Sequence, residues 1–118
     1  MAEKPDYFYQ ANYFWIEMII LAIEKEIEGA IWEHIEKLLE QEAQHVFQLY
    51  LSDCLREIYF TEDKNAVLIL ETADRKTAEK LLNDLPLVKS NKIGFEIYEL
   101  RPYTGYARIL KNANCITV

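Results

Sequence analysis

The chain has 118 residues, 51% of them apolar and 13% aromatic, with 20 acidic against 13 basic side chains for a net charge of −7. That length fits one domain with a real core, and three Gly and three Pro are too few for a disordered chain. An acidic chain with no Lys/Arg stripe repels phosphate backbones, so nucleic acid is not an expected partner, and Cys54 and Cys115 form no CxxC or Cys/His spacing that would predict zinc or a disulfide framework.

Residues 1–12 are polar and aromatic without a clear period and read as an N-terminal arm; residues 13–102 form the core and 103–118 a C-terminal tail. Tyr13 to about Ala22 is rich in β-branched and aromatic residues and predicts a strand. Its two faces, Phe14, Ile16, Met18 and Ile20 against Tyr13, Trp15, Glu17 and Ile19, are both mostly apolar, as in a strand covered on both sides. The longest apolar run, Tyr13 to Ile23, is too short to cross a bilayer and carries Glu17. No basic leader or small-residue cleavage site accompanies it, so neither a membrane span nor a signal peptide is expected. With two free thiols, this points to the cytoplasm.

The charged stretch Glu24 to Gly29 predicts a break, and a long helix follows. Its stripe is Ile31, Ile35, Leu38, Leu39, Ala43, Val46, Phe47, Tyr50 and Leu51, with Glu33, Glu36, Lys37, Glu40 and Gln44 on the solvated side. A start near Glu26 with a kink near Leu39 is the alternative. Ser52-Asp53 marks the end. Leu55–Phe60 reads as a second strand, Glu62 to Asn65 as a hairpin loop, and Ala66–Glu71 as a third strand, apolar on both faces and therefore central.

Asp74 (or Thr72) is the expected N-cap of a second helix whose inward stripe is Ala78, Leu81, Leu82 and Leu85. Pro86 is expected to end it, because the residue before a proline is pushed away from helical angles. A polar turn at Lys89 to Lys92 leads into a last strand, about Ile93 to Leu100, with Phe95 and Ile97 on one face and Glu96 and Tyr98 on the other.

The order β-α-β-β-α-β predicts an α+β, ferredoxin-like domain: a four-stranded antiparallel sheet with two helices on one face. The other face is then expected to carry Trp15, Glu17, Leu55, Glu57, Tyr59, Leu68, Leu70, Glu96 and Tyr98. Such a face is too apolar for water, and the sheet of a second copy would cover it.

Several pieces now resemble the muconolactone delta-isomerase-like family and its YciI-like relatives. They are Leu55-Arg56-Glu57-Ile58-Tyr59-Phe60, Ala66 to Glu71, Leu85-Pro86-Leu87-Val88, Phe95-Glu96 and Leu100-Arg101-Pro102-Tyr103, over about residues 43–106. The Leu-Pro-Leu turn before a strand carrying Phe-Glu is the most specific, and Glu42-Ala43-Gln44-His45 to Leu49-Tyr50 looks like the end of the family's first helix. The resemblance implies a dimeric α/β barrel, two sheets face to face with a pocket in each protomer, either as a dimer or as a ring of dimers. It also implies cofactor-independent proton transfer on a small substrate. The family's isomerases carry a His and an Arg on the first strand where this chain presents Trp15 and Glu17, while Arg56 and Glu96 match by position.

No nucleophile elbow, phosphate loop, dinucleotide fingerprint or metal spacing occurs. The candidate catalytic groups are Glu17, Glu57 and Glu96, because a Glu in an apolar pocket has its pKa raised toward a useful range. Two neighbouring carboxyls would split into one acid and one base. Trp15, Arg56, Tyr59, Tyr98 and His45 are the candidate substrate-binding residues. The expected activity is isomerisation or cyclisation of a small unsaturated acid, lactone or ketone, without metal or cofactor. The alternatives are a cofactor-free monooxygenase on the same barrel and a non-catalytic binding or scaffolding subunit. An RNA-recognition domain shares the element order but fails on charge and on the missing basic, aromatic third strand.

Overall fold

In the computed structural model, which describes residues 17–110, four strands form one antiparallel sheet. The strands are β1 (Met18–Glu26), β2 (Leu55–Phe60), β3 (Ala66–Thr72) and β4 (Ile93–Leu100), in the order β2-β3-β1-β4. Three helices, α1 (Glu36–Leu51), α2 (Arg75–Asn83) and α3 (Pro86–Lys89), and a 3₁₀ turn at Gly105–Arg108 complete the chain. The fold is α+β, and its order and all-antiparallel pairing are compatible with a ferredoxin-like arrangement. No described helix is long and apolar enough to cross a membrane.

The core lies on the helix side of the sheet. Ile20 and Ala22 of β1 and Leu68 and Leu70 of β3 are buried there beside Leu55, and Leu49, Ala78, Leu82 and Leu85 meet them from the helix layer. Each such leucine, removed from water, stabilises the fold by about 1.5–3 kcal/mol. Asp74 caps α2 as expected: in extended conformation, it accepts the Thr77 N–H at 2.8 Å, and that bond holds its carboxyl below the usual range. The buried Thr72 hydroxyl donates to the Asp74 carbonyl at 2.7 Å, tying the end of β3 to the same cap.

Four expectations need correction. The first strand runs on to Glu26 instead of stopping near Ala22, because β4 pairs along it as far as Glu26↔Ile93. Cross-strand pairing there outweighs the local run of charge. The long helix begins at Glu36, not near Ile31 or Glu26: His34 takes a left-handed conformation (φ 56°), and Ile35 has non-helical angles. Pro86 does more than stop a helix. The pre-proline residue Leu85 is extended (ψ 137°), and Pro86 then starts α3, where a missing N–H costs nothing.

The fourth correction is one of phase. Leu68, Leu70 and Leu55 face the helices, not the open side. For Leu55 the cause is a register shift between Leu55 and Glu57 that turns the start of β2 over. The N-terminal arm and the tail beyond residue 110 lie outside the described residues.

Candidate functional site

The register fixes what shares the open face of the sheet. One row across the strands is Glu57, Ile69, Leu21 and Tyr98; the next is Tyr59, Val67, Ile23 and Glu96. Ile19 lies between Glu71 and Leu100 in a third row. The middle of this face is therefore aliphatic and half-buried, with carboxylates and tyrosines at its two edges.

Those edge groups are already partnered. Tyr59 donates to Glu57 at 2.6 Å, and the adjacent carboxylate holds the phenol above its ordinary range. Tyr98 donates to Glu96 at 3.5 Å, and the Lys25 ammonium lies 3.6 Å from Glu96. Arg56 pairs with Glu71 at 2.7 Å. Glu57 on β2 and Glu96 on β4 are three strand spacings apart, roughly 14 Å. Within one chain they cannot form a coupled acid and base. Glu17 is exposed just before β1, above a shallow recess shared with Leu100, Arg101 and Pro102. Trp15 lies outside the described residues.

On the helix side a cavity of about 470 Å³ opens between α1 and the sheet. Leu39, Ala43, Val46 and Phe47 of α1 form one wall, and Ile58, Phe60, Leu68 and Phe95 of the strands form the other. Leu85 and Leu87 close the end beside α3. Among the described residues that line it only Glu24, Glu42 and Tyr50 are polar, and none is basic. The mouth is unusually apolar, since Leu39, Phe47, Tyr50, Ile58 and Phe60 are all exposed there. Phe47 and Tyr50 stack with ring centroids 6.3 Å apart.

The two carboxylates are held by backbone. Glu42 accepts the Leu87 N–H at 2.9 Å, one of the donors at the start of α3 that the helix itself leaves without a partner. Glu24 accepts the Ala66 N–H at 2.7 Å, just past the last β1–β3 pair at Ile23↔Val67. Burial raises the Glu42 carboxyl above the ordinary glutamate value. The Leu87 N–H and His45 pull the other way without overcoming it, and Glu24 adds to the rise. Of the predicted site residues that are described, only His45 borders this region, half-buried in a groove beside Gln41, Gln44 and Pro86.

Glu24 and Glu42 are not among the residues that the strand and helix patterns single out. The signal for Glu24 was its phase, even-numbered with Ile20 and Ala22 and so on the helix face. For Glu42 it was adjacency to the apolar Leu39, Ala43 and Val46 stripe. Chemically, a half-buried carboxyl of raised pKa beside an apolar cavity can take up and release a proton on a bound molecule. Among the described residues no group of three or more His, Cys, Asp or Glu side chains is placed to hold a metal ion. No family model matches the chain, and no curated protein matches it.

Proposed function

We propose that the protein is a small-molecule enzyme that moves a proton on an apolar substrate in the cavity beneath α1, without a cofactor, like the muconolactone-isomerase-like proteins that it resembles. One observation carries the reading: a cavity of about 470 Å³ with the burial-raised carboxyl of Glu42 on an otherwise apolar wall. Small-molecule sites begin near 300 Å³ and pair apolar walls with a few placed polar groups.

In this reading ionised Glu42 removes a proton from a carbon next to a carbonyl. The C–H bond breaks, its electron pair forms the enolate, and the proton returns from Glu42 to a second carbon. The Tyr50 hydroxyl, the one hydroxyl on the cavity wall, is a donor for the enolate oxygen. The test is deuterium uptake from D₂O into a panel of small ketones and unsaturated lactones, followed by NMR. Uptake above the buffer rate, lost in Glu42→Gln, is the expected result. Uptake at the buffer rate across the panel, or unchanged in that variant, sinks the proposal in favour of a binding or scaffolding subunit.

A second reading concerns assembly, and it rests on the aliphatic rows Ile19, Leu21, Ile23, Val67 and Ile69 on the open face. We propose that a second copy packs its sheet against this one, forming a dimeric α/β barrel, with Glu57, Glu96, Tyr59 and Tyr98 in the rim of the interface. Lysine in place of Leu21, at the middle of that face, would bury a charge with no partner. Leu21→Lys is expected to weaken the dimer about 100-fold or more, measured by sedimentation equilibrium. A wild-type chain that sediments as a monomer at every concentration removes this reading.

A further inference from the structure

The cavity has an electrostatic asymmetry that restricts what it can hold. Among the described residues its two ionisable side chains apart from Tyr50 are both carboxylates, and no lysine, arginine or histidine lines it. His45 lines the adjoining groove and acts on Glu42 from there. Each carboxyl spends one bond on a backbone N–H, Glu42 on Leu87 and Glu24 on Ala66, and keeps its remaining acceptor positions for a ligand. With water displaced by an apolar molecule, a ligand carboxylate would meet two carboxylates and no basic side chain on the described cavity wall, in a low-dielectric space. A hydroxyl or ammonium would find carboxylate acceptors on the cavity wall.

We infer that the cavity takes a small, largely apolar molecule presenting a hydrogen-bond donor, a phenol, an enol or an amine, to Glu42 and Glu24, and that it excludes carboxylate ligands. This rests on the proposed use of the same cavity and narrows the substrate class, removing the acids that the family resemblance allows. Discrimination of this kind comes from the repulsive element as much as from the attractive one.

The test compares four probes on one skeleton, 2-naphthol, 2-naphthylmethylammonium, naphthalene and 2-naphthoate, by calorimetric titration of the full chain. The better of the two donor probes is expected to bind at least about tenfold tighter than the naphthoate, since like charges a few ångströms apart repel strongly where water is excluded. It is also expected to bind tighter than naphthalene, and the contrast between naphthol and the ammonium tells a hydroxyl site from a cation site. Glu42→Gln and, independently, Glu24→Gln keep an oxygen for the backbone N–H, and each is expected to narrow the gap to the naphthoate. Naphthoate binding as tightly as the donors overturns the inference while leaving the cavity reading intact. If none of the four binds, or if Ala43→Trp, which places an indole on the cavity wall, changes nothing, the cavity reading falls and takes the inference with it.

Discussion

The two faces of the sheet carry the same kinds of residue and treat them differently. On the open face, Glu57 and Glu96 have tyrosine or lysine partners within 3.6 Å and stand among exposed edge residues. On the helix face, Glu24 and Glu42 accept from backbone N–H groups, and among the described residues from no side chain, beside an apolar wall. An exposed, paired carboxylate is a solvated charge and contributes little to stability. A half-buried one held by a single N–H retains both its proton affinity and its free lone pairs. Surroundings, not residue type, separate the two pairs.

That contrast can be tested at its strongest point first. Leu68 and Ile69 are neighbours on β3 but face opposite ways, Leu68 buried in the core and Ile69 half-exposed. Leu68→Ala is expected to lower unfolding free energy by about 2–5 kcal/mol in urea titrations at dilute protein concentration. Ile69→Ala is expected to cost well under half of that, its main effect being on self-association. Equal costs would mean that the two faces are equally enclosed within one protomer.

A smaller effect is expected from Glu42. Its folded pKa lies above the unfolded one, so the folded state binds the extra proton. The resulting stability is fully present below the unfolded pKa and is lost as pH rises through the folded one. Glu24 across the cavity, His45 on the same helix and the Leu87 N–H are the groups that set the balance. Glu42→Gln should therefore flatten the fall in melting temperature between acid and neutral pH, and an unaltered slope would show that Glu42 is not the group titrating.

The smallest effect belongs to the cap. Asp74 has a depressed pKa, so its contribution is present above the unfolded value and is lost as pH falls through the folded value. Asp74→Ala should lower the melting temperature slightly at neutral pH and not at strongly acidic pH. Asp74→Asn, which still caps, should lose only the pH dependence.

The strands Leu55–Phe60 and Ile93–Leu100 and the Asp74 cap were legible in the sequence because each rests on a local rule, alternation or a side chain bonding three residues on. The phase of Leu68 and Leu70 was not, because β3 is apolar on both faces and alternation is silent there. What set their phase is the pairing with β1, Leu68 opposite Ala22 and Leu70 opposite Ile20, a property of a strand pair and not of either strand. The start of α1 was hidden for a similar reason: the apolar stripe continues back to Ile31, and only the left-handed turn at His34 interrupts it. Candidate carboxylates were sought on the open face, where Glu57 and Glu96 have side-chain partners; Glu24 and Glu42, beside the cavity, were not singled out because their placement depends on how α1 packs on the sheet.

The position of β1 bears on how the chain is made. It is the first described strand in sequence and a central one in the sheet, and its neighbours are β3 and β4. The pair Ile19↔Leu100 joins almost the two ends of the described chain. During synthesis, at about 5–20 residues per second, Met-Ile-Ile-Leu-Ala-Ile therefore waits several seconds before β4 exists to pair with it. Through that interval an aliphatic, strand-forming segment has an unsatisfied edge on at least one side, the state in which such segments join their counterparts on neighbouring nascent chains. The acidic Glu24-Lys25-Glu26 run that follows it has the charge of a gatekeeper. The same three residues that lengthen the strand in the finished fold would thus protect it before the fold is complete.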